Sequence, residues 1–159
     1  MNRRLILWLR VLLVFIWTGT LVLQGLIIPS GAFETARAAP EFAYLAVPYT
    51  ACAIVAIGCW EAVLVALWAL VTMTAHGTVF SPRAFRWVDT MAVAGATATV
   101  TCLGVSVHAI GFTDVGPLTV LLFLVGTVFA SGAFTLLMLV MRRLLRSAVA
   151  MRDELAEVV

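Results

Sequence analysis

Four long apolar runs constrain the fold of this 159-residue chain more than any other feature. A membrane-spanning helix needs ~20 mostly apolar residues, and each run supplies them. The chain is 64% hydrophobic and 11% charged, so a soluble fold of this size cannot bury its apolar surface. The sequence therefore predicts one all-helical transmembrane domain, a four-helix bundle with spans at 5–28, 43–73, 82–110 and 118–141 and a helical cytoplasmic tail at 142–159.

The first run has a signal peptide as its rival interpretation. It is longer than the apolar region of about 7–15 residues in a signal peptide, and the small-residue segment 36–38 lies well beyond its end. We therefore expect an uncleaved span, with Arg10 reaching back to the inner interface. The segment 29–41 opens with Pro-Ser-Gly and predicts a short loop, with room for one helical turn.

A polar, basic segment separates the second and third runs and carries the clearest local signals. Ser81 suits a helix N-cap, and Pro82 suits the first helical position. Two phenylalanines that flank this start have the spacing of a hydrophobic staple. The segment therefore predicts a cytoplasmic loop entering the membrane, with a hinge motif of Gly77, Phe80, Ser81, Pro82 and Phe85.

The arginines predict the orientation. With the N-terminus in the cytoplasm, nine of them lie inside and only Arg37 lies outside, so the positive-inside rule places both termini in the cytoplasm. We expect a multi-pass protein of a bacterial inner membrane. The net charge of +2 argues against direct nucleic-acid binding. The nine inner arginines are Arg3, Arg4, Arg10, Arg83, Arg86, Arg142, Arg143, Arg146 and Arg152.

The third span and the tail have distinct patterns. The third span is rich in glycine, alanine, serine and threonine, which let helix backbones approach closely, so we expect it at the centre of the bundle. The tail repeats apolar residues at two heptad positions over fewer than three heptads. This pattern fits a short coiled coil or an amphipathic helix on anionic headgroups.

Glu61 is the sharpest functional signal, because it lies near the middle of the second span. A charged, unpaired carboxylate costs several kcal/mol there, so such a residue faces the protein interior and often marks a proton or ion path. The plainer interpretation is a protonated acid that hydrogen-bonds between helices. Thr97 and Thr101 lie at a comparable depth and are its expected partners, which gives a candidate intramembrane polar site of Glu61, Thr97 and Thr101.

Other polar groups favour structural roles. Gln24 and His108 are expected toward the outer side, near Glu41 and Asp114, where a metal or pH-sensing site competes with an interfacial histidine satisfied by backbone or water. Asp89 is expected to pair with Arg10 or Arg143. Cys52, Cys59 and Cys102 match no zinc or redox spacing and are expected to pack between helices.

The inner arginines have two interpretations. They bind lipid headgroups and set orientation, or they dock a cytoplasmic partner. The candidate docking surface is Arg83, Arg86, Arg142, Arg143 and Arg146. Because the chain has no catalytic triad, phosphate-binding glycine loop or metal-ligand cluster, we expect no enzymatic activity and no cofactor.

Three segments carry a family resemblance: Gly-Thr-Val-Phe-Ser at 77–81, Phe-Arg-Trp-Val-Asp at 85–89, and Met-Arg-Arg-Leu-Leu at 141–145 before the acidic tail. With them the whole chain resembles a bacterial family of small four-span membrane proteins, domain of unknown function twenty-nine seventy-five, in its actinobacterial form. Members are often encoded beside a Cro-type helix-turn-helix regulator. The resemblance therefore implies a membrane partner that holds or controls a transcription factor, and it implies no catalytic residues.

The favoured function is a sensor or anchor for a cytoplasmic transcriptional regulator. An outer or intramembrane event at Glu61 would change helix packing and the exposure of the arginine face. The alternatives are a small oligomeric transporter, channel or immunity-type protein, in which Glu61 faces a polar path, and a structural subunit of a larger membrane complex. A further possibility for its partners is a second copy of the same chain, in a homo-oligomer.

Overall fold

The protein is helical throughout the part that the computed structural model describes, namely residues 3–38, 40, 43–75, 82–112 and 118–157. Four helical segments are long and apolar enough to cross a membrane: Ile6–Glu34, Ala43–Ala75, Arg83–Gly111 and Leu121–Met151. The predicted all-helical, four-span fold is therefore confirmed. We call residues 3–38 the arm. We call the three helices after it the core.

The arm contains three helical elements in succession: α1 (Arg3–Val22), a π-helical turn (Leu23–Ile27) and α2 (Ile28–Ala38). The loop predicted at 29–41 is therefore wrong for residues 29–38. Proline removes a backbone donor and its ring crowds the preceding turn of an α-helix. The wider π turn ends at Ile27, two residues before Pro29, with the Ile28 amide donating to the Leu23 carbonyl, and this widening lets the helix continue.

The core consists of α3 (Ala43–Ala75), α4 (Pro82–Phe112) and α5 (Leu118–Glu157). Val63 and Ala66 of α3 pack with Met91 and Ala94 of α4 in a buried cluster. Because α4 packs along both α3 and α5, the predicted central position of the third span is confirmed. Trp60 of α3 also reaches Phe134 of α5, with ring centroids 5.0 Å apart.

The closest approach between α4 and α5 lies at Gly95. A Cβ atom at this position would stand 2.7 Å from Thr135 Oγ1 and 3.0 Å from Phe134 Cδ1. Since such distances are shorter than van der Waals contact, only glycine lets the two helices meet here. The close approach replaces the hydrophobic driving force that lipid-embedded helices lack.

The ends of α4 and α5 position the arginines. α4 begins at Pro82, the predicted first helical position, whereas Gly77, Phe80 and Ser81 of the hinge motif lie outside the described residues. α5 has 40 residues, so at 1.5 Å per residue it is about 60 Å long, about twice the hydrocarbon thickness of a bilayer. The predicted continuation of the fourth span into a helical tail is therefore present to Glu157.

Candidate functional site: a carboxyl and amide pair between arm and core

Glu61 of α3 meets Gln24, in the π turn of the arm, within the apolar part of both segments. One terminal atom of the Gln24 amide lies 3.1 Å from Glu61 Oε1 and 3.3 Å from Oε2. The other terminal position lies 3.4 Å from the Ile54 carbonyl oxygen. Both side chains are partly buried. The two isolated polar residues of these spans therefore satisfy each other across the arm and core interface, as polar groups in lipid must.

The amide has two orientations, and each suits one protonation state of the acid. With its nitrogen toward Glu61, the amide donates to both oxygens of an ionised carboxylate. With its oxygen toward Glu61, it accepts from a protonated carboxyl, and its nitrogen then donates to the Ile54 carbonyl. In either orientation the amide can keep an inter-helix hydrogen bond to Glu61.

The threonines of the predicted site use their hydroxyl protons within α4. Thr97 Oγ1 donates to the Val93 carbonyl, and Thr101 Oγ1 donates to the Thr97 carbonyl, each at 2.9 Å. α3 presents Val63 and Ala66 to α4, while Glu61 lies on the side that meets the arm. The structure therefore brings Glu61 to Gln24, and the sequence analysis missed this partner.

The predicted pairing of Asp89 with Arg10 or Arg143 is wrong, because the partner is Arg142. Arg142 Nε lies 2.6 Å from Asp89 Oδ1, and Nη2 donates to Oδ2 at 3.0 Å, a two-point contact between α4 and α5. The residue at 142 faces α4, and its neighbour at 143 is turned away by one helical position. Arg142 is therefore engaged in holding the core together at its arginine-rich end.

Arg10 of α1 packs against α3 instead. Its Nη2 donates to Thr72 Oγ1 at 3.4 Å, and its guanidinium carbon lies 5.6 Å from the centroid of the Trp68 ring. These contacts, together with the Asp89 and Arg142 pair, place the arginines of α1, α4 and α5 at the same end of the bundle. We call this the arginine end.

Four of the five predicted docking arginines are exposed: Arg83, Arg86, Arg143 and Arg146. We call these four the arginine surface. Arg83 and Arg86 line a depression of about 260 Å³ together with Trp87 and Thr90. The phenyl ring of Phe85, which was assigned to the hinge motif, is half-buried. The surface thus combines positive charge with an aromatic wall.

His108 lies toward the opposite end of the bundle. Its Nδ1 is 2.9 Å from the hydroxyl of Tyr49, and the two rings meet edge to face with centroids 5.9 Å apart. A tyrosine hydroxyl therefore contacts the histidine where backbone or water was expected. Glu41 and Asp114, the acids proposed near it, lie outside the described residues, and Gln24 is engaged with Glu61.

Cysteines and metal ligands add no second site in the described part of the chain. Cys52, Cys59 and Cys102 are free thiols and half-buried, and Cys59 packs against the buried cluster of the core. Among the side chains that the structure describes, no three from histidine, cysteine or acidic residues are grouped closely enough to hold a metal ion.

Comparison with known proteins gives one assignment. A family model described as protein of unknown function (DUF2975) matches residues 30–159, which include nearly all of α2 and the whole core. α1, the π turn and Gln24 precede the matched range, whereas Glu61, Asp89 and the arginine surface lie within it. No curated protein and no solved structure matches the chain.

Proposed function

Because the chain belongs to the DUF2975 family, whose function is unknown, we propose a role from its own geometry: a non-enzymatic membrane sensor that docks a cytoplasmic transcriptional regulator. The observation that carries this proposal is the length of α5. A helix of about 60 Å is about twice the ~30 Å thickness of a hydrocarbon core, so part of it lies outside the hydrocarbon. The exposed Arg143 and Arg146 favour the arginine end as the projecting one.

The arginine surface supplies the docking chemistry. Arg83 and Arg86 of α4 lie at the end of the core where Asp89 binds Arg142, so the base of the projecting helix stands beside them. Exposed guanidinium groups favour acidic patches on a partner and steer its approach. Since the positive-inside rule places such an end in the cytoplasm, the partner would be cytoplasmic and both termini would lie there.

The Gln24 and Glu61 pair is the proposed input. A change in the protonation or packing of Glu61 alters the hydrogen bond that holds the arm to α3. α3 packs on α4, and α4 is joined to the base of the projecting helix through Asp89 and Arg142. A shift at the pair would thus change the spacing between α4 and α5 where the regulator docks.

The test uses the intact protein, purified by affinity tag from its native membrane in mild detergent. We expect a DNA-binding regulator to copurify with the wild type and to be lost when Arg83, Arg86, Arg143 and Arg146 are all changed to glutamine. Arg37→Gln is the matched control, because Arg37 is an exposed arginine of the arm, outside the arginine surface. Retention of the regulator by the fourfold variant would contradict the proposal.

Purification of the wild type alone, as a discrete homo-oligomer, would favour the transport alternative. The experiment would then move to liposomes. In that case ion or solute flux should require Glu61, and flux that persists in Glu61→Gln would remove the acid from the path. A stoichiometric membrane partner would instead favour the structural-subunit alternative.

A further inference from the structure

Arg10 lies within a candidate span, and none of the ion pairs in the described residues satisfies its charge. Arg142, at the same end of the bundle, has the carboxylate of Asp89. Within the described part of the chain, Arg10 contacts the hydroxyl of Thr72 and the ring face of Trp68, and its buried Nε atom has no hydrogen-bond partner there. A guanidinium without a carboxylate partner favours an anionic partner such as a phosphate.

Glu61 is too far along α3 to be that partner. It precedes Thr72 by eleven residues, which is a rise of about 16 Å. Its oxygens are also engaged by Gln24. Glu61 therefore does not neutralise the charge of Arg10.

A groove between α1 and α3 begins beside Arg10 and runs deeper into the membrane. We call it the lateral groove, and it has a volume of about 270 Å³ and an almost wholly apolar lining. Its walls are open to the side, since Trp17 and Trp68 remain about two-fifths exposed. The lining residues are Leu13, Val14, Trp17, Leu64, Val65 and Trp68.

The depths of these groups match those of a phospholipid. Thr72, which contacts Arg10, lies three residues before the end of α3 at Ala75, so the guanidinium is within about 5 Å of that helix end. The groove lies between this level and the level of Glu61, within the hydrocarbon region. A headgroup phosphate on Arg10 would therefore leave an acyl chain along the groove.

A second apolar cavity shows why charge decides the occupant. It lies between α2 and α3, has a volume of about 420 Å³, and is lined by apolar residues and Thr50 with no charged side chain. The lateral groove differs because the guanidinium of Arg10 lies at its end.

We propose that the lateral groove binds one anionic phospholipid, with the phosphate on Arg10 and an acyl chain between Trp17 and Trp68. This site joins the arm to α3 through lipid, and it does not depend on the docking of a regulator. An arginine near an anionic surface contributes ~1 kcal/mol, which is about a fivefold preference over a zwitterionic lipid.

Brominated lipids test the site, because they quench tryptophan at contact distance. The full-length protein would carry Trp8→Phe, Trp60→Phe and Trp87→Phe, so that Trp17 and Trp68 alone emit. It would be reconstituted with dibrominated phosphatidylglycerol or dibrominated phosphatidylcholine at equal mole fractions. We expect binding to phosphatidylglycerol to be about fivefold tighter, and we expect Arg10→Gln to reduce that ratio to about one.

Arg4→Gln is the matched control, because Arg4 is an exposed arginine of the same helix outside the groove, and it should retain the preference. Native mass spectrometry of the unsubstituted protein in mixed lipid gives a second measurement that needs no variant. Equal binding of the two lipids by the unsubstituted protein would overturn the proposal. So would an unchanged preference in Arg10→Gln, or displacement of the lipid by inorganic phosphate alone.

Discussion

The first and fourth candidate spans, Ile6–Glu34 in the arm and Leu121–Met151 in α5, bury the same small share of their most apolar stretch, 6% in each, yet they are attached to their neighbours in different ways. α5 meets α4 at a glycine contact and is fastened by a two-point ion pair. The arm lies on α3 across the lateral groove, with polar contacts at Arg10 of α1 and at Gln24 of the π turn. The two spans are therefore equally exposed, but α5 is held to α4 by close packing, whereas the arm is held to α3 by a few polar groups. We call these two interfaces the joints.

The difference assigns separate tasks to the two joints. A close-packed joint transmits displacement, because interdigitated side chains move together. A joint made of a few hydrogen bonds and a groove can open at a modest cost, since inter-helix hydrogen bonds in membranes contribute ~0.6 kcal/mol on average. In the proposed function, the arm is the adjustable part, and the core carries its movement to the arginine surface.

The largest expected effect is at Gly95. Gly95→Ala places a Cβ 2.7 Å from Thr135 Oγ1, so α4 and α5 must separate, and we expect a loss of about 1–3 kcal/mol in the free energy of unfolding. Reversible unfolding in mixed detergent micelles measures it. Gly104→Ala, on the same helix with open space around its Cβ, should be neutral or stabilising. Equal losses in the two variants would contradict the close-packed joint.

A smaller effect is expected at the ion pair. Asp89→Asn leaves Arg142 without its carboxylate at a site about one-third exposed, and we expect a loss of about 1 kcal/mol. A double-mutant cycle with Arg142→Gln isolates the pairwise energy under the same unfolding conditions. Arg143→Gln is the control, because the Asp89 contact belongs to its neighbour. A coupling energy near zero would show that the pair does not fasten α5.

The smallest effect on global stability is expected at the arm. Gln24→Leu removes the hydrogen bonds to Glu61, and we expect a loss of ~0.6 kcal/mol, the average for inter-helix hydrogen bonds in a membrane. Glu61→Gln keeps an amide opposite Gln24 and should lose less. If the two variants lost the same amount, the contact would contribute through packing and not through hydrogen bonding.

The sequence predicted the four spans because their apolar length is a property of each segment alone. The prediction at Pro29 was wrong, because Pro-Ser-Gly is typical of a helix end. The helix continues because the turn before Pro29 widens into a π turn, which the sequence does not indicate. The central position of α4 was predictable from its small residues, because they let neighbouring helix backbones approach closely. The exact contact at Gly95 was not, since it depends on how α5 is rotated.

The polar partners were harder to predict, because depth in the membrane does not determine the face of a helix. Thr97 and Thr101 match Glu61 in depth, but their hydroxyls serve their own helix while Glu61 meets the arm. Gln24 was a detectable signal as the lone amide of the first span. A shift of one residue, from 143 to 142, changes the helix face by about 100° and explains the incorrect partner of Asp89.

The most direct test of an adjustable arm on a rigid core is a pair of distance distributions from spin labels in a cysteine-free background. One pair joins exposed positions of α1 and α3, Leu21 and Val55, and the other joins exposed positions of α4 and α5, Val93 and Leu136. We predict that Gln24→Leu broadens the first distribution and leaves the second unchanged. Equal broadening of both, or a first distribution that stays as narrow as in the wild type, would contradict the account.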